Sequence, residues 1–238
     1  MNIVIPLAGE GERFLNKGYD LPKPLIDVKG KPMIIRAVES LGLNGRYIFI
    51  IRTDHKKYGL DLLLQKEYPT SIIINIDYKT EGPACSALLA KNYINNTTPL
   101  IIANCDQIME WDSEKFVKYI NCNLIGHGTV VTYTSDSPKN SYVRLNKYGE
   151  AIELKEKEVI SNVATNGIHY WRYGEDFVSS CEKLIESNER VNNEFYISMT
   201  YNHLIEHGKL ITTYHIKNEE HNAIGTPEDL NNYLERYK

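Results

Sequence analysis

The stretch from Asn2 to Met33, NIVIPLAGEGERFLNKGYDLPKPLIDVKGKPM, decides how the chain is read. It opens on Ile3-Val4-Ile5-Pro6-Leu7, a short β-branched apolar run of the kind that forms a buried strand. Ala8-Gly9-Glu10-Gly11-Glu12-Arg13 follows directly, and its two glycines let the backbone turn tightly and bring N–H groups close to a ligand. Arg13 adds a forked, permanent positive charge suited to phosphate oxygens. Lys23, set between Pro22 and Pro24, adds a point charge on a stiffened segment.

Glycine loops have several uses. The dinucleotide-binding fingerprint needs a third small residue where Phe14 stands, and no acidic residue closes a second strand at the required place. The phosphate loop of NTPases needs Gly-Lys-Ser/Thr, which is absent from this stretch. Two glycines alone also suit a purely structural turn, but Arg13 and the Lys-Pro-Leu segment favour a phosphate site. In sequence order, the strand, Leu-Ala-Gly-x-Gly-x-Arg, Pro-Lys-Pro-Leu and Gly-Lys-Pro-Met resemble the nucleotidyltransferases that activate sugar 1-phosphates and related phosphorylated small molecules. The likeness is specific in the N-terminal third and looser beyond it.

Composition sets bounds independently of that resemblance. A chain of 238 residues with ordinary apolar and charged fractions suits one medium domain with a sizeable core. A net charge of −4 with scattered lysines gives no basic stripe, which argues against nucleic acid and acidic membranes as partners. No apolar run approaches the roughly 20 residues that cross a bilayer, so a cytoplasmic location is expected. Cys85, Cys105, Cys122 and Cys181 form no Cys-x-x-Cys pair and are read as reduced and mostly packed. Nothing in the composition decides whether the chain forms a homo-oligomer.

Further along, helical spacing of Ile34, Ile35, Val38 and Leu41 begins at Pro32 and ends at Gly42. Tyr47–Ile51 reads as a strand, His55–Glu67 as a helix and Ser71–Ile76 as another strand. This βαβαβ alternation, with continuously apolar strands, implies a parallel sheet covered on both faces and a ligand at the carboxyl ends of the strands. From Gly128 the pattern changes to short alternating strands over Thr129–Thr134, Tyr142–Asn146 and Ala151–Lys155, which reads as antiparallel material. Helices are expected over Glu175–Glu186 and Phe195–His207, then a strand over Leu210–Ile216 and a final helix from Pro227. The expected architecture is a Rossmann-like three-layer α/β/α sandwich with a mainly parallel mixed sheet and a small antiparallel lobe. One domain is expected over 1–238, with a nucleotide-binding part over 1–125 and an acceptor-binding part and closing helix over 126–238. No internal repeat or solenoid follows it, so longer relatives that add an acyltransferase or regulatory domain are not expected to serve as models.

Asp106 ends the apolar run Leu100-Ile101-Ile102-Ala103, where a hard carboxylate suits Mg²⁺ bridging phosphate oxygens. Asp112 reads instead as the N-cap of a following helix. The resemblance implies that Leu7, Ala8, Gly9, Gly11, Glu12 and Arg13 bind the nucleotide, with Gly9, Gly11 and Arg13 holding its triphosphate. It also implies that Lys23 meets the α-phosphate region and that Asp106 is the metal ligand. Glu81, Gly82 and Ala84 fall in its base- and ribose-binding turn, although Gly-Pro-Ala here replaces the usual Gly-Thr-Ala. Lys155 is implied to meet the acceptor phosphate, with Asn162, Thr165, Gly167 and Glu194 around the acceptor. His169 is read as packed or exposed rather than catalytic and is given no role. Ile-Gly-Thr-Pro-Glu-Asp-Leu at 224–230 matches the family's closing segment, but Ala223 stands where many members carry a second metal aspartate. Asn222 is a weaker neutral candidate for that place.

The implied reaction is transfer of a nucleoside monophosphate from NTP to a phosphorylated acceptor with release of pyrophosphate. The acceptor most suggested is a sugar 1-phosphate, for surface polysaccharide or glycan synthesis. A cytidylyltransferase acting on a phosphorylated amino alcohol is the alternative within the class. A nucleotide-sugar-dependent glycosyltransferase would carry an Asp-x-Asp pair, which Asp106-Gln107-Ile108 is not. An inactive nucleotide-binding module is the non-enzyme alternative, prompted by Ala223.

Overall fold

The computed structural model describes residues 1–236. Strand β1 (Asn2–Pro6) is buried along Ile3, Val4 and Ile5 and runs into the glycine loop, after which α1 (Glu12–Leu15) makes one helical turn. Lys23–Leu25 is a 3-10 turn whose ends are fixed by Leu25 N–H donating to Pro22 O at 2.8 Å and Ile26 N–H to Lys23 O at 3.2 Å. A two-rung hairpin, β2 (Asp27–Val28) and β3 (Lys31–Pro32), leads into α2 (Met33–Leu41), which ends where Gly42 adopts a left-handed φ of 61°. β4 (Arg46–Arg52) follows.

One helix was expected over His55–Glu67. The chain instead forms a 3-10 segment, Thr53–Tyr58, and then α3 (Leu60–Glu67), because Gly59 turns left-handed at φ 77° between them. β5 (Ile72–Ile76), α4 (Pro83–Leu88), α5 (Lys91–Ile94), β6 (Leu100–Ala103) and β7 (Gln107–Met109) come next. Asp112 caps α6 (Ser113–Cys122) by accepting from Lys115 N–H at 3.1 Å.

The second half supplies β8 (Gly128–Thr134), β9 (Ser141–Leu145), β10 (Ala151–Glu156), β11 (Val163–Trp171) and α7 (Gly174–Glu186). The helix expected from Phe195 is delayed. Phe195 is spent as a backbone bridge to Glu81 O (2.8 Å) and Ala84 N–H (3.0 Å), so a 3-10 turn at Ile197–Met199 precedes α8 (Thr200–Glu206). β12 (Ile211–His215), β13 (His221–Ala223) and α9 (Pro227–Glu235) complete the described chain.

β5, β4, β1 and β6 lie side by side in parallel; β11 then pairs antiparallel with β6 and β8 antiparallel with β11. β12 runs parallel to β8, while β9 and β10 form the small antiparallel extension. Alternation along β1 sends Ile3 and Ile5 to a core face covered by α2, α3 and α6, and Val4 to a face covered by α4, α7 and α8. The expected three-layer α/β sandwich is the observed fold. His169 is packed, with its ring stacked against Trp171 and Tyr201. All four cysteines are free thiols; Cys181 is buried, but Cys122 is exposed against expectation.

Phe14, the bulky residue that excluded a dinucleotide fingerprint, has its own purpose. It is 1% exposed and packs with Ile26, Met33, Ile108, Ile224 and Leu230 in a third cluster, tying the helix after the glycine loop to α9.

Replacing Asp112 with Ala removes the cap of α6 and should lower stability by about 1 kcal/mol. Thermal melts should place Asp112→Ala roughly 2–4 °C below the parent and Asp112→Asn near it.

Candidate active site

Because β1, β5 and β6 are parallel, their carboxyl ends open on one edge of the sheet, and a cleft of ≈ 290 Å³ lies there. The glycine loop forms one wall. Leu7 and Ala8 are 2% and 6% exposed and anchor it, with Leu7 N–H donating to Ile50 O at 2.7 Å. Gly11 has φ +67°, and a Cβ there would lie 3.1 Å from Lys23 Cβ, so both conformation and space require glycine. Gly9 faces open space. Glu12 turns outward, 3.8 Å from Lys79, whose ammonium also donates to Glu10 at 2.8 Å. Arg13 is exposed on α1, near enough to influence the titration of both Lys23 and Asp106.

Lys23 and Asp106 meet across the cleft. Lys23 Nζ donates to Asp106 Oδ2 at 2.5 Å, and the side chains are 19% and 28% exposed. Burial alone would raise the Asp106 pKa, but the adjacent ammonium outweighs it and holds the carboxyl below its usual range. Lys23 is the mirror case, with burial pulling its pKa down and Asp106 pushing it above the usual lysine value.

The closing segment packs directly on this pair. Ile224 N–H donates to Asp106 O at 2.9 Å, and a Cβ on Gly225 would stand 2.7 Å from Asp106 Oδ2. Unforeseen from the sequence, β13 pairs with β7 and sets Asn222 opposite Ile108. This corrects the expectation for Asn222 as a metal donor. Its Oδ1 accepts from Arg236 at 2.7 Å, and its amide nitrogen lies 3.4 Å from Ile108 O and 3.3 Å from Glu110 Oε1. Ala223 is exposed beside it. Among the described residues no group of three or more His, Cys, Asp or Glu could cage a metal. The donor set fits Mg²⁺ only as one hard carboxylate, Asp106, completed by phosphate oxygens and water, a coordination that Mg²⁺ accepts.

Of the three residues expected at the base-binding turn, only Gly82 lines the cleft. Its φ of 122° and ψ of 173° suit glycine alone, and a Cβ would lie 2.6 Å from both Phe195 N and O. Glu81 pairs outward with Arg190 at 3.1 Å, and Ala84 is fully buried with its N–H taken by Phe195 O. The polar pair that does face the cleft is Thr80 and Ser86, hydroxyls 2.6 Å apart, which sequence reasoning passed over.

The expected acceptor residues divide. Glu194 lines the cleft. Gly167 touches it through Asn104: its φ is +88°, a Cβ would lie 2.1 Å from Asn104 Nδ2, and its carbonyl accepts from Asn104 N–H at 3.2 Å. Thr165 is buried in β11, and Asn162 is exposed beyond the start of that strand, away from the cleft lining. Lys155 lies on the outward face of β10, 3.6 Å from Glu153, which also pairs with Arg144.

The lysine connected to the cleft is Lys157. Its backbone is left-handed at φ 57°, and its ammonium donates to Tyr196 OH at 2.5 Å, which donates in turn to Glu194 Oε2 at 2.7 Å. Neighbouring Glu156 is buried, with its carboxylate accepting from Ser141 and Ser198 hydroxyls. The one sequence signal for this arrangement is the period of β10. Leu154 and Glu156 share the inward face, which turns Lys155 outward.

Such a cleft, with a glycine loop, a proline-flanked lysine and a strand-end aspartate at the open edge of a parallel sheet, defines a phosphate-handling α/β protein. The model of the nucleotidyl transferase family matches residues 3–238, and the chain belongs to that family. It is 30% identical to a bifunctional protein GlmU from Methanococcus vannielii, over 98% of this chain and 55% of that protein. It is 27% identical to a mannose-1-phosphate guanyltransferase from Pichia angusta, over 66% of this chain and 42% of that one. The chain thus spans about half the length of these curated relatives. The GlmU match corrects the expectation that longer relatives fail as models, since half of that one aligns with nearly all of this chain. A nucleoside-diphosphate-sugar pyrophosphorylase from Vibrio cholerae has the same fold, with TM-score 0.85, 21% identity, and coverage of 98% of this chain and 99% of that one. No helix among the described residues is long and apolar enough to cross a membrane.

The close approach of Gly225 to Asp106 gives a test that leaves both charged residues in place. Gly225→Ala should displace the Asp106 carboxylate and cut turnover by about tenfold or more, since misplacing a reacting group by about 1 Å costs up to roughly a hundredfold. Steady-state rates beside melting temperatures check this, with the temperature expected within a few degrees of the parent.

Proposed function

We propose that the protein transfers a nucleoside monophosphate from an NTP to the phosphate of a small acceptor, most simply a sugar 1-phosphate, and releases pyrophosphate. The observation that carries this reading is the contact of Lys23 with Asp106 at 2.5 Å beneath the glycine loop, which gathers anion-binding and cation-binding groups in one cleft. A phosphate monoester oxygen of the acceptor attacks the α-phosphorus. The new P–O bond forms as the bond from the α-phosphorus to the bridging oxygen breaks, and the electron pair leaves with pyrophosphate. The nucleophile is already an anion, so no side chain need remove a proton. The demand on the protein is to align two anions that repel and to stabilise charge at the transferring phosphorus.

In this reading the Gly9–Gly11 backbone and Arg13 hold the β- and γ-phosphates, and Lys23 addresses the α-phosphate. A divalent cation on Asp106 would supply further neutralisation of the phosphates there. Lys157 takes the acceptor-phosphate role first expected of Lys155, because its ammonium is the one linked through Tyr196 to Glu194 at the cleft. Thr80 and Ser86 offer hydroxyls to the nucleoside, and Glu194 offers a carboxylate to acceptor hydroxyls. A role in polysaccharide or glycan synthesis follows from this product class and belongs to the same proposal.

Pyrophosphate release with each of the four NTPs, Mg²⁺ and a panel of sugar 1-phosphates and phosphorylated amino alcohols tests the reading directly. Asp106→Ala should abolish release while leaving the circular dichroism spectrum unchanged. Activity within a few-fold of the parent would remove Asp106 from the cation-holding role. For the acceptor side, Lys157→Ala should raise the acceptor KM by roughly tenfold or more, the worth of a charge-assisted hydrogen bond of about 1.5–3 kcal/mol. Lys155→Ala should change it little, and the reverse order would return the role to Lys155.

A further inference from the structure

Lys23 is fixed at its backbone and free at its tip. Pro22 and Pro24 flank it, the 3-10 turn closes over it with hydrogen bonds of 2.8 and 3.2 Å, and its Cβ lies against Gly11. Beyond that point, only side-chain torsions place the ammonium. Those torsions now set it 2.5 Å from Asp106 Oδ2, with both side chains partly exposed to the cleft. An ammonium at that distance neutralises the carboxylate and occupies an approach to its oxygen. A divalent cation bound to the same carboxylate would be repelled at short range.

The protein offers little to offset that repulsion. Ala223 adds no ligand, Asn222 Oδ1 is held by Arg236 at 2.7 Å, and no cage of His, Cys, Asp or Glu exists among the described residues. Gly225 brings no side chain to the carboxylate, a Cβ there standing 2.7 Å from Asp106 Oδ2. Gly11 of the glycine loop lies against the root of the Lys23 side chain, so rotation about the lysine torsions would turn the ammonium away from Asp106 without backbone movement.

Building on the nucleotidyl-transfer reading, we propose that Lys23 is an exchangeable counter-ion. It holds Asp106 in the substrate-free protein, then passes its ammonium to the incoming triphosphate and so frees Asp106 for a divalent cation that arrives with that triphosphate. Charge is balanced at both stages: the carboxylate exchanges an ammonium for the cation, and the ammonium exchanges a carboxylate for phosphate oxygens. The two ligands are therefore coupled. A divalent cation alone finds Asp106 already neutralised, and a cation–triphosphate complex supplies both new partners at once. Lys23 thereby makes cation binding conditional on nucleotide.

Mn²⁺ serves as the probe, read by water-proton relaxation, which distinguishes protein-bound Mn²⁺ from Mn²⁺–nucleotide in solution. The wild-type protein should bind Mn²⁺ weakly alone and tightly with an α,β-methylene nucleoside triphosphate that cannot be transferred. Lys23→Met should strengthen binding of Mn²⁺ alone by about tenfold or more, within the usual range of coupling between two sites. Lys23→Arg, which keeps a permanent charge on Asp106, should bind Mn²⁺ alone as weakly as wild type. Melting curves establish that each variant is folded, and the wild-type comparison with and without nucleotide needs no variant. Equal Mn²⁺ affinity of wild type with and without the triphosphate would overturn the proposal, as would equal affinity of Lys23→Met and Lys23→Arg. No turnover is involved. A protein that released no pyrophosphate with any NTP and acceptor would refute the transfer reading while leaving the Mn²⁺ result interpretable.

Discussion

The parallel pairing of β1 with β4 on one side and β6 on the other is the constraint on which the rest of the molecule depends. Parallel neighbours need crossover connections, and those connections are the helices that cover both faces of the sheet. Parallel pairing also brings the carboxyl ends of the strands to one edge. The glycine loop that ends β1 and the Asn104-Cys105-Asp106 turn that ends β6 are therefore neighbours across a single strand spacing. The meeting of Lys23 and Asp106, 83 positions apart in sequence, follows from topology and needs no special pairing of the segments that carry them.

A second constraint closes the cleft from the other half of the chain. Phe195 bonds through both backbone groups to the Glu81–Ala84 turn, and only a glycine at 82 allows that approach. Arg190 reinforces the junction. It lies 4.1 Å over the Phe195 ring and pairs with Glu81 at 3.1 Å. This bridge fixes where Glu194 and Tyr196 stand relative to the glycine loop. It joins the nucleotide side and the acceptor side of the proposed reaction through backbone rather than through flexible side chains, which suits a site whose task is alignment.

What the sequence disclosed follows the range over which each signal acts. Strands β1, β4, β5, β6, β8, β9, β10 and β12, α2 with its stop at Gly42, the Asp112 cap and the start of α9 at Pro227 depend on local chemistry and are legible. So is the glycine loop with Lys23 and Asp106, because strand ends in a parallel sheet converge without further information. The failures depend on tertiary partners. Phe195 was read as helical because its helix-compatible neighbours carry no sign that its backbone is needed by Glu81 and Ala84. Asn222 reads as a weak candidate ligand from sequence because β13, a strand of only three residues, exists through its pairing with β7. The proposed exchange of Lys155 for Lys157 involves a left-handed backbone at a lysine, which local sequence rules disfavour and only the surrounding contacts impose.

The substitution of Ala223 has a further electrostatic consequence. With two carboxylates, the cleft would present more negative charge to an incoming triphosphate and would rely on a bound cation to reverse it. With Asp106 already countered by Lys23, and Glu10 by Lys79, the same cleft would meet the triphosphate of the proposed reaction with less uncompensated negative charge beside the glycine loop. In the proposed reaction, a site with a single protein carboxylate for the cation would leave more of the work of neutralising the nucleotide to protein cations, and those cations must then be mobile enough to change partners. The placement of Lys23, rigid at its backbone and free along its side chain, is the form such a cation takes in this fold.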